Sequence, residues 1–219
     1  MTLSADRPGA VLGGFVLAIV VLGGSGATAP ARAARREAPP LVRLRDVCPG
    51  VRVDLRYATA DNVFRRRLYD GTIAMLRAPV ARRLARVQDH LARQGLGLKV
   101  WDAYRPYHVQ GIMWRIRPGT RYLSNPRRGS KHNRGAAVDV TLVDRAGAEL
   151  PMPTPFDEFS PRAHRGATRG VSPERQKNSR TLEAAMRAEG FFPNRWEWWH
   201  FTASDWQRYP LADVPVPRE

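Results

Sequence analysis

Cysteine is almost absent from this 219-residue chain, which contains only Cys48. A single thiol excludes an internal disulfide framework and also excludes a zinc site built from several cysteines. Hydrophobic residues make up 43% of the chain, which is too high for a disordered protein. The sequence therefore predicts one sizeable folded domain whose core forms without covalent cross-links.

Negative charge is also scarce. Asp and Glu together number 20 against 36 Lys and Arg, so the formal net charge is +16, and only three of the basic residues are lysines. A large positive charge is typical of proteins that bind phosphate backbones. However, no basic run alternates with aromatic residues as it does in nucleic-acid-binding motifs. We therefore predict no nucleic-acid partner and a loose association with an anionic cell envelope.

Long hydrophobic runs are limited to residues 10–23, which are too short to cross a membrane comfortably. Small residues follow this run, and an A-x-A pattern ends at Ala29 and again at Ala33. This layout is typical of an export signal over residues 1–33, cleaved near Ala29 or Ala33; an uncleaved membrane anchor is the alternative. Residues 34–41 then form a predicted linker, and residues 42–219 form the predicted domain.

The spacing of apolar residues predicts strands and helices that do not alternate regularly, which favours an α+β fold. The clearest helix covers residues 79–94, where apolar residues recur at helical spacing and Gly95 follows. The remaining predicted elements are strands over 51–57, 98–104, 136–143 and 196–201, helices over 106–118 and 173–189, and a loop over 119–135.

Several polar residues could together carry hydrolytic chemistry. His132 lies in the predicted loop, Asp139 follows on a strand, and Glu197 and His200 lie three residues apart near the C-terminus. Two imidazoles and one carboxylate form a three-ligand zinc site whose open position holds an activated water. Glu197 is then the candidate proton carrier, and Arg105 is the candidate for stabilising the oxyanion.

Spacing alone leaves other interpretations open. A histidine and an aspartate seven residues apart are more often unconnected groups than metal ligands. Residues three apart in an extended strand also point to opposite faces, so Glu197 and His200 converge only if their segment bends. The tryptophans around Glu197 are equally compatible with plain core packing.

Three separate segments resemble the M15 zinc peptidases, and within that family the D-Ala-D-Ala dipeptidases. The first reads Ser130-x-His132-x-x-Gly-x-Ala-x-Asp139, the second Glu197-Trp-Trp-His200-Phe, and the third Tyr-Arg105-Pro. An Arg-Tyr-Ala-Thr segment containing Tyr57, followed by Asp-Asn, supports the same resemblance. These matches cover residues 52–201 in the family's order.

The resemblance implies one zinc ion held by His132, Asp139 and His200, with Glu197 as catalytic base and acid and Arg105 as oxyanion stabiliser. It implies that Asp157 receives the free ammonium of the substrate and that Tyr57 and Ser130 contact the substrate. Asp157 could instead cap a turn, and Tyr57 could be an ordinary strand aromatic. The expected fold is a central antiparallel sheet flanked by helices, with the metal at one edge.

We therefore expect an exported zinc dipeptidase that hydrolyses D-Ala-D-Ala to two D-alanines. One alternative is a D,D-carboxypeptidase or endopeptidase of the same family that trims peptidoglycan peptides. Another, from a different class, is a non-catalytic basic module that binds the cell envelope. A binding module has no need for a proton-transfer carboxylate beside a metal site, so the set of His132, Asp139, Glu197, His200 and Arg105 favours an enzyme.

Overall fold

The computed structural model describes residues 37–218, so the predicted export signal lies outside the described residues. The first strand begins at Leu41, one residue before the predicted domain boundary. None of the helices within residues 37–218 has both the length and the hydropathy needed to cross a membrane. The elements in chain order are β1 Leu41–Arg43, α1 Leu44–Val47, β2 Arg52–Val53, β3 Met75–Arg77, α2 Ala78–Ala92, β4 Leu96–Asp102, α3 Tyr107–Ile116, β5 Ala137–Asp144, α4 Pro173–Ala188, β6 Phe191–Pro193 and β7 His200–Ala203.

A five-stranded sheet in the order β2-β4-β5-β7-β6 forms the centre of the domain. The pairs β4–β5, β5–β7 and β6–β7 are antiparallel, as predicted, but the edge strand β2 runs parallel to β4. A separate antiparallel pair joins β1 to β3. The α+β prediction is confirmed, and one parallel edge strand is added to the expected sheet.

The two long helices pack against each other and against strands of this sheet. Helix α2 buries an apolar stripe of Val80, Leu84, Val87 and Leu91, all 0% exposed. The spacing of these four residues places them on one face of the helix, which is why the sequence pattern identified it correctly. At the start of α4, the Ser172 side chain accepts a hydrogen bond from the backbone of Arg175.

The predicted strand over residues 51–57 is wrong in its second half. Pairing with β4 ends after Asp54, and residues Arg56–Ala58 form a 3₁₀ turn. The side-chain amide of Asn62 donates to the backbone carbonyls of Arg56 and Thr59 at 3.1 and 2.9 Å. These bonds give the local backbone an alternative to strand pairing, so the chain turns and Tyr57 becomes buried.

The predicted last strand is likewise shorter than residues 196–201, because β7 begins only at His200. Before it, the backbone N–H of His200 donates to the carbonyl of Glu197 at 3.3 Å, which closes a turn. The Arg165 guanidinium donates to the carbonyls of Glu197 and Trp198 at 3.2 and 2.8 Å and stabilises that turn. This is the bend that Glu197 and His200 require to face the same site.

Candidate metal centre and active site

The three predicted ligands come together, and the two of them that lie on strands belong to internal strands of the sheet, not to its edge as expected. Asp139 on β5 and His200 at the start of β7 are direct register partners. His132 reaches them from a 3₁₀ turn over His132–Arg134 that ends at Gly135. Gly135 has a φ of +66°, and a Cβ there would lie 2.4 Å from the Leu41 side chain, so this turn requires glycine.

The ligand atoms of these residues form a small triangle. His132 Nε2 lies 3.1 Å from His200 Nδ1 and 3.5 Å from Asp139 Oδ1, and His200 Nδ1 lies 2.9 Å from Asp139 Oδ1. A point about 2.0–2.1 Å from all three atoms exists above such a triangle, and zinc–ligand bonds have that length. Two imidazoles and one carboxylate are also a donor set that zinc accepts. The residues therefore fit a metal ion.

The other ring nitrogen of each histidine has its own acceptor. His132 Nδ1 lies 2.8 Å from the Ala103 carbonyl and 3.2 Å from a carboxylate oxygen of Asp102. His200 Nε2 lies 3.1 Å from the Thr202 hydroxyl. These contacts place the ring protons away from the triangle, so both imidazoles present a lone pair to the metal position. The sequence analysis did not identify these supporting roles of Asp102 and Thr202.

Asp102 also holds Arg105. The same carboxylate oxygen that contacts His132 lies 3.1 Å from Arg105 Nη1, and Asp102 is 0% exposed. Arg105 Nη2 donates to the Gln110 side chain at 3.3 Å, and its Nε has no hydrogen-bond partner among the described residues. A single buried carboxylate therefore orients both a metal ligand, His132, and the candidate oxyanion stabiliser, Arg105. A change at Asp102 should affect the positions of both side chains.

We expect Asp102→Asn to lower both zinc affinity and kcat by about 10–100-fold, the usual effect of removing a carboxylate behind a metal-bound histidine. The variant keeps the shape of the side chain but loses the charge that holds His132 and Arg105. Zinc titration and steady-state kinetics measure the two effects. Asp205→Asn is the matched control, because Asp205 pairs with Arg83 at 2.8 Å and does not line the metal cavity. Wild-type zinc affinity in Asp102→Asn would contradict this role.

Glu197 is buried beside the metal position and is 8% exposed. The Asn194 side chain donates to Glu197 Oε2 at 2.6 Å, a contact that sequence analysis did not predict. Burial raises the pKa of Glu197 well above its ordinary value, and the negative charges of Asp139 and Asp157 raise it further. A carboxylate with a raised pKa is suited to accept a proton and then deliver it.

A cavity of about 180 Å³, which we call the metal cavity, is lined by all three ligands and Glu197. Of the eight residues singled out from the sequence, seven line it: Tyr57, Arg105, Ser130, His132, Asp139, Glu197 and His200. Eight further residues line the cavity that the sequence analysis did not assign to the site, among them Gln110, Tyr122 and Asn194. These three lie in α3, in the 119–135 loop and after β6, and they carry no recognisable spacing relative to the ligands.

Asp157 is the exception, because it lines a neighbouring cavity. It is 7% exposed and adopts a φ of +60°, an uncommon conformation for aspartate. The Tyr57 hydroxyl donates to Asp157 Oδ1 at 3.0 Å, which links the two cavities. Tyr57 is thus a buried part of the site wall and not the strand aromatic that was the alternative.

Two further residues of the ligand loop have local partners. The Ser130 hydroxyl accepts a hydrogen bond from the backbone of His132 at 3.2 Å, which helps to hold the ligand turn. The ammonium of Lys131 lies 5.2 Å from the ring centre of Trp206, within the range of a cation–π contact. Lys131 also lines the metal cavity and adds a positive charge to its wall.

Comparison with known proteins agrees with this geometry. Residues 37–215 match the M15 peptidase family model, which is described as D-Ala-D-Ala dipeptidase. A D-alanyl-D-alanine dipeptidase of Escherichia coli is 36% identical over 78% of this chain and 88% of its own length. Enzymes of the same name from Enterococcus faecium and Enterococcus faecalis are each 32% identical over 79% and 80% of this chain, and over 96% and 92% of their own lengths. The chain therefore belongs to the M15 peptidase family.

Proposed function

We propose that this protein is a zinc dipeptidase that hydrolyses D-Ala-D-Ala to two D-alanines. The observation that carries the proposal is the convergence of three ligand atoms within 2.9–3.5 Å beside the buried carboxylate of Glu197. The family and the names of the relatives support the substrate. The small volume of the metal cavity, about 180 Å³, also favours a substrate of dipeptide size.

His132, Asp139 and His200 would hold the zinc. When bound, zinc polarises the peptide carbonyl and lowers the pKa of a water molecule. Glu197 takes the proton from the attacking water and delivers it to the nitrogen of the leaving amino acid. Arg105, kept in place by Asp102 at 3.1 Å, offers its N–H groups to the oxygen on which negative charge develops.

The ammonium of the dipeptide is attracted by the negative charge of Asp157, which borders the metal cavity through Tyr57. A buried carboxylate at this position favours a free N-terminus, because a blocked peptide leaves its charge without a partner. Comparing D-Ala-D-Ala with N-acetyl-D-Ala-D-Ala tests this assignment. We expect a preference for the free dipeptide of at least about 10²-fold in kcat/KM. A preference for the blocked peptide would instead identify a D,D-carboxypeptidase.

The protonation of Asp157 predicts a pH dependence. Burial, followed by the nearby charge of Asp139, raises the pKa of Asp157 to about 7. Below this pH the carboxyl group is neutral and no longer attracts the ammonium, so kcat/KM falls as the pH decreases. We expect Asp157→Asn to have a lower kcat/KM at pH 8 and to lose this dependence. Kinetics between pH 5 and 8, with zinc content measured at each pH, tests this; identical profiles for both proteins would contradict it.

We further propose that the chain is exported and that its signal is cleaved near Ala29 or Ala33. Support comes from the apolar run over residues 10–23 and the A-x-A patterns that follow it. The strong positive charge supports residence near an anionic envelope. Edman sequencing of the protein recovered from the exported fraction should begin at residue 30 or 34. An intact N-terminus would indicate a retained anchor.

A further inference from the structure

Asn194 lies between β6 and the turn that carries Glu197, and all four of its polar groups have partners. Its backbone N–H donates to the carbonyl of His200 at 3.0 Å, and its own carbonyl accepts from Arg165 Nε at 3.0 Å. In the side chain, Oδ1 accepts from the backbone N–H of Trp196 at 2.9 Å, and Nδ2 donates to Glu197 Oε2 at 2.6 Å. The proposed mechanism gives Asn194 no role.

The orientation of the Asn194 amide follows from these contacts. A backbone N–H can only donate, so the side-chain atom that faces the N–H of Trp196 must be the oxygen. The side-chain nitrogen then faces Glu197. Reversing the amide would place two donors together at Trp196 and two acceptors together at Glu197, and both hydrogen bonds would be lost. Asn194 therefore presents a fixed N–H donor to the carboxylate.

The two oxygens of the Glu197 carboxylate have different surroundings. Oε2 is held by Asn194, whereas Oε1 accepts no hydrogen bond from any residue within 37–218. Both Glu197 and Asn194 line the metal cavity. A glutamate side chain has several rotatable bonds, and fixing one of its oxygens restricts where the second can lie. Oε1 is therefore the oxygen that is available to a water molecule in the metal cavity.

We propose that Asn194 is a positioning residue, whose amide holds Oε2 of Glu197 so that Oε1 faces the attacking water. The proposal rests on the proposed function, in which Glu197 is the proton carrier. Proton transfer requires that the carboxylate oxygen lie within hydrogen-bond distance of the water. A misplacement of about 1 Å lowers the rate by about 10²-fold. Asn194 itself exchanges no proton and acts only through Glu197.

Asn194→Ser provides the first test, because a serine hydroxyl can still accept from the N–H two residues later but is too short to replace the donor to Glu197. We expect kcat to fall by about 10–10²-fold, with one zinc per chain and a KM within about threefold of the wild type. Asn125→Ser is the matched control. Asn125 Oδ1 also accepts from the N–H two residues later, that of Arg127 at 2.9 Å, but Asn125 does not line the metal cavity.

Asn194→Asp is a second variant that preserves the turn more closely. It keeps Oδ1 for the N–H of Trp196 and places an acceptor, in place of the donor, against the carboxylate of Glu197. We expect a loss of kcat at least as large as in Asn194→Ser. Thermal unfolding and zinc content establish that each variant is folded and loaded. A wild-type kcat in either variant would overturn the proposal.

A double-mutant cycle separates positioning from a general structural role. Asn194→Ser is combined with Glu197→Gln, which removes the group through which Asn194 acts. We expect the second substitution to lower the remaining kcat by less than about threefold, since the two residues act as one unit. If Asn194 only stabilised the turn, Asn194→Ser would lower kcat by the same factor in both backgrounds, and this result would contradict the proposal.

The choice of substrate separates this proposal from the proposed function. All variants are assayed with D-Ala-D-Ala and with N-acetyl-D-Ala-D-Ala. If the wild type hydrolyses only the blocked peptide, the proposed function is overturned, and the cycle between Asn194 and Glu197 is measured with that peptide. If the wild type hydrolyses neither, both proposals are overturned.

Discussion

Glu197→Gln is expected to lower kcat for D-Ala-D-Ala by about 10²–10⁴, with zinc still bound at one ion per chain. The amide has nearly the same size as the carboxylate and can keep the contact with Asn194, which lies 2.6 Å from Glu197 in the wild type. It cannot take a proton from water, so the step that forms the nucleophile and the step that releases the amine both slow down. KM should change much less than kcat, because the substitution removes no ligand of the metal.

Zinc analysis and steady-state kinetics on the same preparation separate these effects. Glu158→Gln is the matched control, since Glu158 is a partly buried carboxylate that lines the neighbouring cavity and pairs with Arg162. We expect its kcat to stay within about threefold of the wild type. A Glu197→Gln enzyme that retains zinc and turns over at the wild-type rate would exclude Glu197 as the proton carrier.

Arg105→Lys is expected to lower kcat by about 10²–10³, the effect of losing one preorganised oxyanion donor. Arginine presents several N–H groups in a rigid fork, so Arg105 can pair with Asp102 and still face the cavity. Lysine has a single charged nitrogen that Asp102 would hold. The substitution keeps a positive charge beside a fully buried carboxylate, and this protects the fold better than Arg105→Ala, which would leave Asp102 unpaired.

Thermal unfolding and zinc content establish that Arg105→Lys is folded and loaded before its kcat is interpreted. Arg121→Lys is a suitable control, because Arg121 lines the same cavity but is exposed and lies over Trp196 at 4.8 Å. A loss of activity in Arg121→Lys as large as in Arg105→Lys would show that kcat responds to the loss of any guanidinium in the cavity, and not to the placement of Arg105.

The ligands were predictable because their residue types suit zinc and because three separate segments resemble the M15 family, whereas spacing alone left other interpretations open. His132 and Asp139 are joined by a short turn into β5, so their proximity follows from local structure, and the helix over Ala78–Ala92 follows from its apolar stripe. The bend between Glu197 and His200 was recognised only as a requirement. It depends on Arg165, which reaches the turn from more than thirty positions earlier in the chain, and contacts of this kind leave no periodic signal.

The roles of the residues that support the ligands could not be predicted either, because they also depend on contacts that leave no periodic signal in the sequence. The contact of Asp102 with His132 requires the pairing of β4 with β5, which brings together residues thirty positions apart in the chain. Thr202 supports His200 only because β7 places it two residues away on the same face. Asp157 was assigned from a resemblance, and its position behind Tyr57 became visible only in three dimensions.

The most direct test of the account is the turnover of D-Ala-D-Ala by the purified domain before zinc removal, after chelation, and after zinc is restored. We predict hydrolysis to two D-alanines in the loaded protein and loss of essentially all activity in the metal-free protein. Recovery should saturate at one zinc per chain and should be abolished in His200→Ala. Activity that survives complete metal removal would contradict the assignment of His132, Asp139 and His200 as a catalytic zinc site.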